Sequence, residues 1–185
     1  MKPVLLDFPD EFQTERLTIR SPRPGDGLAF NAAVLDSLDA CRPWMPWAQK
    51  VPTVDESEEL MRSTHAKFQL RENLMLLVFL RETGTLVASS GLHSVNWETP
   101  RFEIGYWVRT PFAGNGYVTE AVVGITEFAR TSLNARRVEI RASEKNVRSW
   151  RIPEKLGFLY EGTLHNWMRI PSGEVHDLRV YAKTF

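Results

Sequence analysis

Between Phe102 and Ala129 the apolar pattern changes period across a glycine-rich turn, and this restricts the chain to folds in which a strand feeds directly into a helix. Phe102 to Val108 reads as a central strand, and Gly114-Asn115-Gly116 follows it. Val118, Ala121, Val122, Ile125, Phe128 and Ala129 then fall on one helical face, with Asn134 just past the helix end. A helix start leaves backbone N–H groups unpaired and carries partial positive charge, so it attracts phosphate. Glycines let the chain turn tightly and let a ligand approach the backbone. A plain strand-to-helix turn accounts for Gly-x-Gly equally well. The sequence has no Gly-Lys-Ser/Thr of a P-loop, and no Gly-x-Gly-x-x-Gly followed by the strand acid of a dinucleotide fold.

The remaining segments predict a mixed α/β sheet with helices on its faces. Leu17 to Arg20 alternates like a strand, and Asp26 stands where a helix cap belongs. Thr53-Val54-Asp55-Glu56 has the form of a capping box opening a helix to about Phe68. Leu74 to Leu80 and Leu86 to Leu92, joined by Glu82-Thr83-Gly84, read as a hairpin. Arg137 to Ala142 is a further strand, and a short helix closes near Gly157. Two terminal strands follow around Phe158 to Leu164 and Val175 to Tyr181.

Composition narrows the function classes. Lys+Arg and Asp+Glu both total 23, so no charge excess draws the protein to nucleic acid or anionic lipid. No apolar run nears the roughly 20 residues that span a bilayer, and charge interrupts the N-terminus too early for a secretory signal. Cys41 is the lone cysteine, which excludes an internal disulfide and a thiolate metal cluster. A cytoplasmic protein is expected, with Cys41 as packing. His65, His165 and His176 have no partner at ligand spacing, so no metal is expected.

Four blocks carry a resemblance. They are Thr14-Glu15-Arg16-Leu17-x-Ile19-Arg20; Pro43-Trp44-Met45-Pro46-Trp47; Phe102 to Val108 with Gly114-Asn115-Gly116-Tyr117-Val118-Thr119-Glu120-Ala121; and Asn146-x-x-Ser149 with Glu154-Lys155-Leu156-Gly157-Phe158 and Glu161-Gly162. In this order they resemble the GNAT superfamily of N-acetyltransferases, and within it the RimJ/RimL branch. The resemblance implies one GNAT domain over residues 1–185, with a mixed, mostly antiparallel sheet whose central strands splay apart. It implies acetyl-CoA as co-substrate, its diphosphate on the amides of Gly114, Asn115, Gly116, Tyr117, Val118 and Thr119. The pantetheine arm would lie along Tyr106, Trp107 and Val108 and bond to Asn146, and an N–H near Trp107 or Val108 would polarise the thioester. This chain departs from the family in Ala113, where Gln or Arg is usual, and in Val118, where Gly or Ala is usual. Pro153 stands where many members have a tyrosine. A proline deep in a helix costs about 3 kcal/mol, so that helix is expected to start late or kink near Trp150 to Pro153.

Acetyl transfer needs a neutral amine. At pH 7 deprotonating lysine costs roughly 4 to 5 kcal/mol, against about 1 kcal/mol for an α-amine, so a modest base suffices for a protein N-terminus. By the resemblance, Glu103 is the candidate base and Ser149 the candidate acid for the leaving thiolate. Their plainer readings are an ion pair with Arg101 and a helix-cap serine. His93 is an alternative base. Trp44 and Trp47 form either a wall of the amine pocket or a plug over the sheet. Trp97 and Trp167 are expected in the core. Arg136, Arg137 and Arg141 either approach the CoA 3′-phosphate or form a solvated face.

The leading expectation is therefore an acetyltransferase acting on a peptide or protein N-terminal amine. A small amine acceptor (amino acid, polyamine or antibiotic) and a non-catalytic CoA-binding module are the alternatives. A homodimer is compatible with the sequence.

Overall fold

The computed structural model describes residues 2–185. The strands are β1 (Glu11–Gln13), β2 (Leu17–Arg20), β3 (Leu74–Leu80), β4 (Leu86–Asn96), β5 (Arg101–Val108), β6 (Arg137–Ser143), β7 (Leu159–Arg169) and β8 (Val175–Thr184). They form one sheet in the order β1-β2-β3-β4-β5-β6-β8-β7. Only β5 and β6 run parallel; the other neighbours are antiparallel. The helices are α1 (Gly27–Leu35), α2 (Leu38–Cys41), α3 (Val54–Gln69), α4 (Tyr117–Ser132) and α5 (Val147–Lys155). This is the mixed, mostly antiparallel α/β architecture expected.

Alternation along each strand divides the core between the two sheet faces. Phe102 and Ile104 of β5 and Leu76 and Val78 of β3 bury against Ala121, Val122, Ile125 and Phe128 of α4. Leu77 and Phe79 of β3 point the other way and pack under Phe30 and Val34 of α1 and Met61 of α3. The helix spacing read from sequence thus matches the stripe that α4 buries.

Helix starts show where local rules hold and where tertiary partners override them. Thr53 opens α3 with a complete capping box: its hydroxyl accepts from Glu56 N–H at 3.1 Å, and Glu56 accepts from Thr53 N–H at 2.8 Å. Asp26 stands at the N-cap of α1 but caps nothing with its side chain. Its carboxylate instead grips the Arg20 guanidinium at 2.7 Å through both oxygens. Glu58 of α3 takes over, accepting from the N–H groups of Gly25 and Gly27, each at 2.9 Å.

The helix carrying Pro153 does not start late. α5 begins at Val147, where Asn146 Oδ1 accepts from Ser149 N–H at 3.3 Å. Pro153 is the seventh of its nine residues and leaves the Ser149 carbonyl without its helical donor. The Tyr106 hydroxyl of β5 donates to that carbonyl at 2.8 Å. Trp97 lies against Phe8 and Phe102, as expected of a core residue. Trp167 is 58% exposed and is not core, because it sits beside the irregular register between Leu164 and Met168 of β7.

Two stability outcomes follow. A Cβ on Gly27 would lie 2.5 Å from Glu58 Cα, backbone against backbone. Gly27→Ala should therefore lower stability by about 1–3 kcal/mol, read as a lower urea midpoint. Tyr106→Phe strands the Ser149 carbonyl and should cost about 1–3 kcal/mol in the parent. In a Pro153→Ala background, which restores a helical donor, the same change should cost measurably less in a double-mutant cycle.

Candidate active site

β5 and β6 pair at three positions, Arg101↔Arg137, Phe102↔Val138 and Glu103↔Glu139, and then separate. β6 stays paired to β8 up to Ser143, while β5 stays paired to β4 up to Val108. Beyond Glu103 one edge of β5 is therefore free. Arg109 N–H bonds Val87 O at 2.8 Å. Antiparallel alternation then points the peptide groups of Trp107 and Gly105 toward β4 as well. The N–H and C=O groups of Ile104, Tyr106 and Val108 face the gap.

At the mouth of that gap the chain passes through exposed Gly114-Asn115-Gly116 into α4. Gly116 caps α4 with φ of 79°, a left-handed conformation that glycine adopts without strain. The amides of residues 114–119 make no backbone hydrogen bond among the described residues; the first intrahelical donor is Glu120 N–H, to Gly116 O. Six donors and the positive end of α4 thus converge on one exposed turn.

This turn is held from the N-terminal strands. Glu120 accepts from Thr14 Oγ1 at 2.6 Å, from Arg16 N–H at 2.8 Å and from Arg16 Nε at 2.6 Å. The same guanidinium donates to Asn115 O at 3.2 Å and lies 4.7 Å from the centre of the Tyr117 ring. Burial pushes the Glu120 pKa up, but the hydrogen bonds from Thr14 and Arg16 outweigh it and hold the carboxyl below its ordinary value. The sequence marked Arg16 only as part of a motif. Nothing in local pattern could pair it with a glutamate 104 positions away.

On the face opposite α4, a cleft of about 460 Å³ lies over β4 and β5. Its floor is Ser89, Ser90 and His93 of β4 with Gly105, Tyr106 and Trp107 of β5. Phe30 and Val34 of α1 and Ser57 and Leu60 of α3 make walls, and Met45 and Trp47 close one end. The Trp47 ring centre is 5.3 Å from that of Trp107. Trp44 turns away, 6.4 Å from the His176 ring of β8. The His93 ring covers Gly105, where a Cβ would lie 3.1 Å from Cδ2. Asn73 Nδ2 lies 3.2 Å from His93 Nδ1, and burial lowers the His93 pKa.

Glu103 shares this face with Gly105 and Trp107 and stands opposite His93 in register. It accepts from Ser94 Oγ at 3.1 Å and lies 3.8 Å from Arg141 Nε, rather than pairing with Arg101. Ser149 is the third residue of α5; Asn146 does the capping, so the serine hydroxyl is not a cap. Burial pushes the Tyr106 phenol up to about 12. Arg137 is held by Glu161 and Glu139, and Arg141 by Glu139. Among the described residues no group of three or more His, Cys, Asp and Glu could hold a metal. No described helix is long and apolar enough to cross a membrane.

The family model "Acetyltransferase (GNAT) domain" matches residues 16–159. Over 172 residues, 91% of each chain, the protein is 28% identical to YdaF of Bacillus subtilis (strain 168), provisionally named a ribosomal N-acetyltransferase. RimL, an α-N-acetyltransferase of ribosomal protein L7/L12 solved with coenzyme A, shares the fold. Its TM-score is 0.86 at 19% identity, over 93% of this chain and 96% of that one. Mycobacterium smegmatis RimJ, solved with CoA-disulfide, superposes with a TM-score of 0.80 at 22% identity, over 91% of this chain and 81% of its own. A parted pair of strands, a bare-amide turn and a family match across most of the length lead to one assignment: the chain belongs to the GNAT acetyltransferase family.

Proposed function

We propose that the protein transfers acetyl from acetyl-CoA to the α-amine of a peptide or protein N-terminus. The convergence of free amides at residues 114–119 with the unpaired edge of β5 carries this reading. The turn suits a diphosphate, and the Ile104, Tyr106 and Val108 peptide groups suit the amides of a pantetheine arm. Of the two N–H groups near the end of β5, that of Val108 faces the gap and is the donor for the thioester oxygen. Asn146 Oδ1 is engaged in capping, which leaves its Nδ2 for the arm.

In this scheme the amine nitrogen attacks the thioester carbonyl and forms a C–N bond. Glu103 takes the amine proton, directly or through water. The C–S bond then breaks, and the thiolate takes up a proton through the Ser149 hydroxyl, which water re-protonates as Glu103 returns the amine proton to solvent. Trp47 belongs to the acceptor side as part of the cleft wall, whereas Trp44 packs toward His176. The likeness to YdaF, RimL and RimJ supports a peptide acceptor by analogy.

Thiol release with acetyl-CoA, followed by mass spectrometry of the acceptor, tests the reading. A peptide with a free N-terminus should gain one acetyl on its α-amine, and the same peptide blocked there but carrying lysine should not react. Glu103→Gln should slow turnover by about 10²-fold at pH 6 and less at pH 9, where the amine has already lost its proton, with acetyl-CoA affinity nearly unchanged. A parental rate at every pH would remove Glu103 from the role. Arg16→Met should raise KM for acetyl-CoA about fivefold, the loss of roughly 1 kcal/mol of loop restraint, and change kcat less.

A further inference from the structure

The cleft over β4 and β5 carries information about the acceptor that the motifs do not. Its walls are aliphatic and aromatic: Phe30, Val34, Met45, Leu60, Met75 and Trp107 all contribute. The wall hydroxyl of Ser57 already accepts from Asn31 Nδ2 at 3.0 Å. The one carboxylate in the lining is Glu56. It is taken up by Thr53 N–H and by the Lys50 ammonium, and those bonds hold it below its ordinary pKa. A polycation entering the cleft would shed its hydration against apolar side chains, and beyond the one charge that Glu103 could meet at the polar end the lining offers no free counter-charge. The dimensions suit a small organic group, since ligand pockets run from about 300 to 1,000 Å³.

The polar end is as specific. On the floor, His93 sits over Gly105, and its Nε2 has no hydrogen-bond partner among the described residues. Glu103 stands beside it on the same strand face. An amine placed there would have its substituent directed between α1 and α3, against Phe30 and Leu60.

We infer that the acceptor is a primary amine carrying a bulky aliphatic or aromatic group next to the amine-bearing carbon, which the cleft between α1, α3 and Trp107 encloses. This rests on the proposed acetyl transfer and narrows its substrate. A peptide beginning with leucine, methionine or phenylalanine and the corresponding free amino acid amide share this chemistry.

The test is kcat/KM for thiol release across an acceptor series with the full-length protein and acetyl-CoA. The series contains peptides identical except for Gly, Ala, Ser, Leu, Met or Phe at position one, the free amides of the same residues, and spermidine. Leucine, methionine or phenylalanine should exceed alanine by ten- to a hundredfold, since each added methylene in an apolar pocket is worth about 10-fold or more. Spermidine should be the poorest. Peptides outrunning amides identify a polypeptide acceptor, and the reverse identifies a small molecule; both agree with the inference. Leu60→Glu, a change at a half-exposed wall position, should collapse the Leu/Ala ratio toward one. The inference fails, with acetyl transfer intact, if glycine, alanine, serine or spermidine is preferred, or if Leu60→Glu leaves the ratio unchanged. Thiol release from no acceptor, in protein that still binds CoA, overturns the enzyme reading and the inference together.

Discussion

The site depends on a separation of strands. β5 and β6 hold three parallel pairs and then part, β5 remaining with β4 and β6 with β8. Interior strands of a sheet ordinarily satisfy both edges. Here one edge of β5 is left with peptide groups facing a gap, which the protein keeps open by giving each strand a complete partner on its far side. The Tyr106 side chain spans from β5 to α5 and bonds the carbonyl that Pro153 deprives of its helical donor. A residue that weakens a helix thereby supplies the anchor for a contact between the two arms of the opening.

The two faces of the sheet serve different ends. α4 lies on one, and its bare N-terminal turn is where the proposed function seats a phosphate; Arg16 and Glu120 tie that turn to the N-terminal strands. On the other face α1 and α3 stand away from β4 and β5 and leave the apolar cleft. The alternation of β5 connects the faces: Phe102 and Ile104 pack under α4, while Gly105 and Trp107 line the cleft and Glu103 shares their side of the strand. One strand thus holds packing groups, gap-facing amides and the candidate base within eight residues.

Features encoded within a short window could be read from the chain. The change of period at Gly114–Gly116, the capping box at Thr53 and the alternation of Leu17 to Arg20 all appear as elements with nearly the anticipated bounds. Failures came where a distant partner prevailed. Asp26 has the residue type of a cap, yet Arg20 is the stronger ligand, and Glu58 serves the helix start instead. Pro153 suggested a helix that starts late or kinks; the late start does not occur, because the missing bond is met by a tyrosine 47 positions earlier. The short β1 edge strand has too few residues for a period to show. The cleft was the least legible feature, since its walls come from α1, α3, β3 and the segment around Trp47, and no spacing rule joins them. The aromatic run Pro43 to Trp47 was read as one unit, but only Trp47 and Met45 reach the cleft.

The proposed acetyl transfer requires that the free amides at the start of α4 and along β5 receive the diphosphate and pantetheine of acetyl-CoA. Backbone amide NMR of the labelled protein during titration with CoA tests this most directly. Large, saturable shifts are expected at residues 114–119 and at Ile104, Tyr106 and Val108. The first-turn amides of α3, beginning at Val54, should stay still. CoA binding with the turn unmoved, or no binding at all, would contradict it.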